Sequence, residues 1–240
     1  GPSPDSVGLI SPAVSGLPHD LWGVGLTVEV AQAVTRDRLD SLPVLRQLVL
    51  TILLAETAAP IDSEGKGILL QARIDKLLQL GALEQAAALI DLADQGESSD
   101  LFRRAFDVAL LTGHEDRACQ RMTDNPGLAP TLQARVFCLA RGGEWDAAVV
   151  TLQTAEALGQ VSHDQAALMG RFLDPDLFEG EPVPRPPVPV TPLDWKMFEG
   201  IGEPLPTTTL PVAFAYAEIS PNFGWKAQIE AAERLTAAGT

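Results

Sequence analysis

The sequence predicts an all-α fold, built as an α-solenoid of antiparallel helical hairpins with an extended proline-rich segment. Apolar residues recur at helical spacing along most of the chain, and the alternation typical of half-buried strands is nearly absent. Similar glycine turns also return at intervals of about 30 residues, which is typical of helical repeats. Of the 240 residues, 46% are hydrophobic, so a packed core can form.

Each predicted turn has a glycine followed five residues later by an alanine. The pairs are Gly81 with Ala86, Gly113 with Ala118, and Gly142 with Ala147. A glycine can end a helix in the left-handed conformation at little cost, and a small alanine lets two helices approach closely. The intervals between these glycines are 32 and 29 residues.

We divide the chain into four predicted segments. They are an N-terminal extended segment (1–26), a helical-repeat region (27–173), a proline-rich strap (174–192) and further helical repeats (193–240) that we expect to continue beyond the last residue. The strap should be extended and polyproline-like, because proline fixes φ and lacks an amide donor. The chain begins Gly1-Pro2 without a methionine, which is typical of a cleaved tag, so we expect that the natural N-terminus and any targeting segment have been removed.

The charge of the chain bears on its partners. Lys and Arg total 17 against 32 Asp and Glu, a net charge of −15, and no basic stripe is present. This pattern argues against nucleic acid and anionic membranes as partners. The longest apolar run, residues 48–55, is far shorter than the roughly 20 residues of a transmembrane helix. We therefore predict a monomer that binds another protein or peptide.

One short stretch, residues 111–122, raises the question of a metal site. It contains His114, Glu115, Asp116 and Cys119, whose side chains can bind zinc. His114 and Cys119 are five positions apart and diverge on a helix, and no second Cys/His pair completes the site. We interpret the acids as a helix start that matches the helix dipole. We expect no catalytic residues, no metal site and no cofactor.

The five cations Arg73, Lys76, Arg103, Arg104 and Arg135 lie on the predicted first helices of successive hairpins. The first helices of a solenoid build its concave face, so these residues are a candidate partner-binding face, with ordinary solvated surface as the alternative. For the four tryptophans Trp22, Trp145, Trp195 and Trp225 we expect packing rather than interface contacts.

The two cysteines, Cys119 and Cys138, lie on adjacent predicted helices. From the residues alone, two interpretations remain open: a disulfide in an oxidising compartment, or two buried thiols in the cytosol.

The helix–glycine–helix units of residues 65–160 resemble the architecture of the tetratricopeptide superfamily, although the bulky positions of its strict consensus are absent. Most of the chain also resembles an exported helical-repeat family of alphaproteobacteria that has no established activity and is often mislabelled as antifreeze glycopeptide polyprotein. The resembling stretches are "SGLPHDLWG", "RACQRM", "RVFCLARGGEWDAA" and "GWKAQIEAAERLTAAG". This resemblance implies a periplasmic or envelope location and favours the Cys119–Cys138 disulfide; the alternative location is the cytoplasm.

The function that these observations predict is a non-catalytic protein–protein interaction scaffold or adaptor in the bacterial cell envelope. The alternative is a regulatory or docking module of a longer protein with an activity beyond residue 240. An enzyme with an unrecognised site is the third interpretation.

Overall fold

A computed structural model of the chain describes residues 3–36, 43–93, 98–219 and 223–239. Within these ranges every regular element is an α-helix or a 3-10 helix, which confirms the all-α class. An isolated parallel bridge joins Ile10 to Ala55. No helix in the described ranges is long and apolar enough to cross a membrane. The predicted tag remnant Gly1-Pro2 lies outside the described residues.

The α-helices are numbered in chain order. They are α1 (Pro12–Ser15), α2 (Thr27–Arg36), α3 (Pro43–Leu54), α4 (Ile68–Gln79), α5 (Leu83–Ala93), α6 (Ser99–Thr112), α7 (Glu115–Asp124), α8 (Leu132–Arg141), α9 (Trp145–Ala157), α10 (His163–Leu173), α11 (Pro192–Gly200) and α12 (Trp225–Ala238). The 3-10 helices are Pro4–Ser6, Pro126–Leu128, Asp176–Phe178, Thr207–Thr209 and Val212–Ile219.

The chain divides into two compact units, and the division differs from the four predicted segments. The first unit combines residues 1–104 with residues 211–240, and the second comprises residues 105–210. The C-terminal segment joins the first unit through direct contacts. The Tyr216 hydroxyl donates to Glu84 Oε1 at 2.5 Å, and Arg46 Nη1 donates to the carbonyl of Ala237 at 2.5 Å.

Helix α4 lies in the core of the first unit and packs against α2, α3 and α5. Its apolar residues Leu69, Leu70, Ile74 and Leu77 have no exposed surface. The preceding N-terminal segment, predicted as extended, contains the short helices Pro4–Ser6 and α1.

In the second unit, α7, α8, α9 and α10 pack against one another in chain order, and α8 also contacts α10. Three phenylalanines follow the first helices of successive hairpins. Phe106 on α6 meets Phe137 on α8 edge-on, with ring centroids 6.5 Å apart. Phe137 in turn stacks on Phe172 of α10 at 5.6 Å. Aromatic pairs of this kind add to the burial that holds neighbouring helices together.

The structure corrects the register of the third predicted turn by one residue. Gly81 and Gly113 have φ of 78° and 76°, and the matching left-handed residue is Gly143 with φ of 83°. Gly142 is still right-handed, with φ of −75°. The buried alanine five residues after Gly143 is Ala148, whereas Ala147 is exposed. The glycine-to-alanine spacing of five therefore holds in all three turns, with intervals of 32 and 30 residues.

These three turns close in the same way, which explains why the spacing recurs. In each, the amide after the left-handed glycine donates to the carbonyl five residues earlier. The three bonds are Ala82 to Leu77 at 2.9 Å, His114 to Ala109 at 2.8 Å, and Glu144 to Leu139 at 2.9 Å. This is the Schellman pattern, which satisfies carbonyls left over at the helix end.

Candidate functional site

The structure brings Cys119 of α7 and Cys138 of α8 to disulfide-bonding distance. Their Cα atoms are 4.9 Å apart, and both side chains are buried. This separation lies inside the range that a disulfide requires. The pair would tie the second helix of one hairpin to the first helix of the next.

The predicted cationic face is wrong for Arg73, which has no exposed surface. Its guanidinium donates to three backbone carbonyls: Nε to Leu53 at 2.7 Å, Nη1 to Val7 at 2.7 Å and Nη2 to Ala55 at 2.9 Å. Arg73 thus fastens the N-terminal segment and the end of α3 to α4. Burial lowers the pKa of Arg73 to about 10, which the nearby Asp5 carboxylate partly opposes.

Asp5 is the second fully buried charge of this cluster, and it acts as a cap for α4. The N-cap position of α4 is Gly67, which has no side chain to offer. Asp5 Oδ1 instead accepts from the amide of Leu70 at 2.7 Å, and Oδ2 has no hydrogen-bond partner among the described residues. Burial raises the pKa of Asp5, while the amides at the start of α4 and the Arg73 charge act against that rise.

The other members of the predicted face fall into two groups. Lys76 and Arg104 are buried, and Arg104 binds both carboxylate oxygens of Asp75 at 2.7 Å. Their inclusion in an exposed face was therefore also wrong. Arg103 and Arg135 are exposed, as the prediction requires, but they lie on different helices and in different units. Three of the five cations therefore cannot belong to an exposed face.

The stretch at 111–122 forms a turn and a charged helix start. His114 is the N-cap residue of α7, and its Nδ1 lies 3.1 Å from the Thr112 hydroxyl. Asp116 pairs with Arg141 at 2.6 Å, and buried Glu115 lies 3.4 Å from Arg141 and 3.7 Å from Lys196. These ion pairs link α7 to α8 and α11. In the described part of the chain, no group of three or more His, Cys, Asp or Glu side chains could hold a metal ion.

The tryptophans divide between packing and exposure. Trp195 is 2% exposed and its indole donates to the carbonyl of Leu205 at 3.0 Å, while Trp22 donates to Thr57 at 2.8 Å. Trp145 and Trp225 are 48% and 76% exposed. The expectation that all four pack in the interior was therefore wrong for these two.

Helix α9 presents the exposed apolar surface that we consider the candidate functional site. Only Ala148, Leu152 and Ala155 of α9 are buried, along one stripe. Beside this stripe α9 exposes Trp145, with Val149 one helical turn beyond it, and the opposite side exposes Asp146, Val150 and Ala157. We call the outward side chains of this helix the α9 face; they are Trp145, Asp146, Ala147, Val149, Val150, Gln153, Thr154, Glu156 and Ala157.

The charges of the α9 face are all negative. Asp146 and Glu156 lie on the helix, Glu144 precedes it, and all three are exposed. No lysine or arginine occurs from residue 142 to residue 170. The surface is thus apolar with an acidic rim.

The α9 face was not predicted, although the sequence carries a signal for it. Apolar residues surround the whole circumference of α9, whereas a helix with a single buried stripe has a polar opposite side. An apolar helix of that kind is either buried on all sides or leaves an apolar surface open. The structure shows the second outcome.

Comparisons of the chain with protein-family models, with curated proteins and with solved structures find no match.

Proposed function

We propose that this chain is a non-catalytic protein–protein interaction scaffold or adaptor of the bacterial cell envelope, with hairpins stacked as in tetratricopeptide-like solenoids. The observation that carries the proposal is the α9 face. An exposed tryptophan beside exposed valines is typical of residues that anchor protein interfaces, because their burial removes a large apolar area from water.

Three further features support the proposal. The repeated glycine–alanine turns and the Phe106–Phe137–Phe172 contacts fit a stack of hairpins. The buried charges Arg73, Asp5 and Arg104 bind groups of the chain itself, namely backbone carbonyls, a backbone amide and the Asp75 carboxylate. A cysteine pair at disulfide distance fits an oxidising compartment such as the periplasm.

The acidic rim indicates which partner the α9 face would take. A second copy of this chain would bring Glu144, Asp146 and Glu156 close to the same three acids, and like charges across an interface are unfavourable. We therefore expect a partner segment in which Lys or Arg residues flank apolar side chains. The chain itself would then be a monomer.

The test compares two matched pairs of exposed residues. Trp145 with Val149 on α9, and Trp225 with Ile229 on α12, each place a tryptophan four residues before an aliphatic residue. The wild-type chain, a Trp145→Ala/Val149→Ala variant and a Trp225→Ala/Ile229→Ala variant are immobilised, and the envelope proteins that they retain are identified and purified.

We expect the purified partner to bind the α9 variant at least roughly tenfold more weakly than wild type, since a tryptophan anchor commonly contributes about 2 kcal/mol. The α12 variant should bind like wild type. Equal binding by wild type and the α9 variant would refute the α9 face as the site. If wild type retains no protein, the scaffold function itself fails.

A further inference from the structure

The second unit has another candidate surface besides the α9 face. It lies in the proline-rich strap, at residues 182–187. The sequence there is Pro-Val-Pro-Arg-Pro-Pro, and the structure contains neither helix nor strand from residue 182 to residue 187. Proline fixes φ near the polyproline value at four of the six positions. A chain restricted in this way has little conformational entropy left to lose when a partner binds it.

The six residues are open to a partner. Pro184 is half-buried and the other five are exposed. Polyproline helices have three residues per turn, so Val183 and Pro186 lie on one ridge and Pro184 and Pro187 on the next. The pair Pro184 and Pro187 has the P-x-x-P spacing that aromatic-lined grooves accept.

The backbone polar groups of residues 183–190 are unused within the protein. Across the described part of the chain, residues 183–190 make no hydrogen bond. Their carbonyls are therefore free acceptors for the tryptophan, tyrosine or asparagine donors of another protein. A strap that served only to cover a core would bury its apolar residues, yet Val188 is 97% exposed.

The segment of residues 183–190 is held in place at both ends. At the first end, Arg171 of α10 donates from Nη2 to the carbonyls of Glu181 at 2.9 Å and Pro182 at 3.3 Å. At the second end, Thr191 and Asp194 form a capping box at the start of α11. Buried Asp194 also accepts from Gln133 of α8 at 3.0 Å. The exposed residues are thus presented from two fixed points.

Within residues 182–192 the only charged side chain is Arg185, whereas residues 174–181 carry the acids Asp174, Asp176, Glu179 and Glu181. Arg185 is the only cation between residues 172 and 195, and it is exposed. In a chain with a net charge of −15, this places one positive charge in the middle of the proline run. A groove that binds residues 182–187 would place a carboxylate opposite Arg185.

We propose that residues 182–187 are a preformed polyproline ligand for a partner protein domain with an aromatic-lined groove and an acidic residue at its edge. This inference rests on the proposed function, because it names a second surface through which the scaffold would recruit a protein. It uses side chains distinct from those of the α9 face.

The test measures binding of the full chain to a panel of polyproline-reading domains of the SH3, WW and EVH1 classes by isothermal titration calorimetry. We expect at least one domain to bind with a Kd below about 1 mM. A Pro186→Ala/Pro187→Ala variant should bind at least roughly tenfold more weakly, since it loses two groove contacts and two fixed φ angles. A Pro206→Ala variant, changed at an exposed proline outside the strap, is the matched control and should bind like wild type.

A synthetic peptide of residues 179–192 serves as a second measurement that does not depend on folding. It should bind the same domain more weakly than the full chain, because its ends are free. The proposal is overturned if no domain of the panel binds, or if the Pro186→Ala/Pro187→Ala variant binds like wild type. Either result would leave the strap as a spacer and leave the α9 test unaffected. Conversely, loss of the α9 result with strap binding intact would refute only the α9 face.

Discussion

Replacing Arg73 with methionine tests whether the buried guanidinium is a structural fastener. Methionine fills a similar volume but has no donor, so the carbonyls of Val7, Leu53 and Ala55 each lose a charged partner. Hydrogen bonds to charged groups contribute about 2 kcal/mol each, or about 6 kcal/mol for three. Burial of the charge, which lowers the pKa of Arg73 to about 10, offsets roughly 3 kcal/mol of this.

We therefore expect Arg73→Met to lower the free energy of unfolding by about 3 kcal/mol. The assay is urea unfolding followed by circular dichroism. The slope of the unfolding free energy against urea concentration is compared between the proteins, because a changed slope indicates a changed unfolded state. The matched control is Arg103→Met on α6, an exposed arginine that should change stability by less than about 0.5 kcal/mol. If the two variants unfold at the same urea concentration, the fastening role of Arg73 is refuted.

Three further predictions concern the turn register, the cysteine pair and the single tyrosine. Gly143→Ala should lower the free energy of unfolding by about 1–2 kcal/mol, because alanine resists the left-handed φ, whereas Gly142→Ala should change it by less than about 0.5 kcal/mol. Urea unfolding of both variants tests this turn register, and equal effects of the two substitutions would contradict the register. The unfolded, unreduced chain should incorporate no thiol label, and reduction should allow two labels. Reduction should also lower the free energy of unfolding by about 3 kcal/mol, as expected for a cysteine separation of 19 residues. Two labels before reduction would exclude the disulfide. Burial, aided by the Glu84 carboxylate, raises the pKa of Tyr216 to about 12, so its ultraviolet tyrosinate absorbance should appear near pH 12 in the fold and near about pH 10 in the urea-unfolded chain. The stability that this contact supplies is present below the unfolded pKa and is lost as the pH rises towards 12; Glu84→Gln should lower the folded midpoint, and an unchanged midpoint would remove Glu84 as a cause.

The helical class and the hairpin turns follow from local chemistry, which is why they were predictable. A glycine that must adopt a left-handed φ and an alanine that must fit between helices leave a spacing in the sequence. The register at residues 142–143 was not predictable in the same way, because either of two adjacent glycines can take the left-handed position. The left-handed φ of Gly143, the hydrogen bond from Glu144 to Leu139 and the burial of Ala148 distinguish them.

The burial of Arg73 was partly readable from the sequence. Leu69 and Leu77 lie one helical turn before and after it, and both are fully buried, so Arg73 shares their face. What the sequence could not show is how a buried charge is satisfied there. The partners are carbonyls at Val7, Leu53 and Ala55, which tertiary structure alone brings to one point.

The return of the C-terminal segment to the first unit could not be predicted either. Hairpin spacing reports contacts between neighbours in sequence, whereas Tyr216 and Glu84 are 132 residues apart. Similarly, the exposure of Trp145 depends on what packs against α9. A tryptophan next to small residues is compatible with both a core and an interface.

The proposed function requires that the chain binds another protein through the α9 face. The most direct measurement is an isothermal titration of the purified envelope partner with wild type and with the Trp145→Ala/Val149→Ala variant. We expect a saturable one-to-one complex with wild type and a Kd at least roughly tenfold higher for the variant. Equal affinities for the two proteins, with both folded to the same extent by circular dichroism, would contradict it.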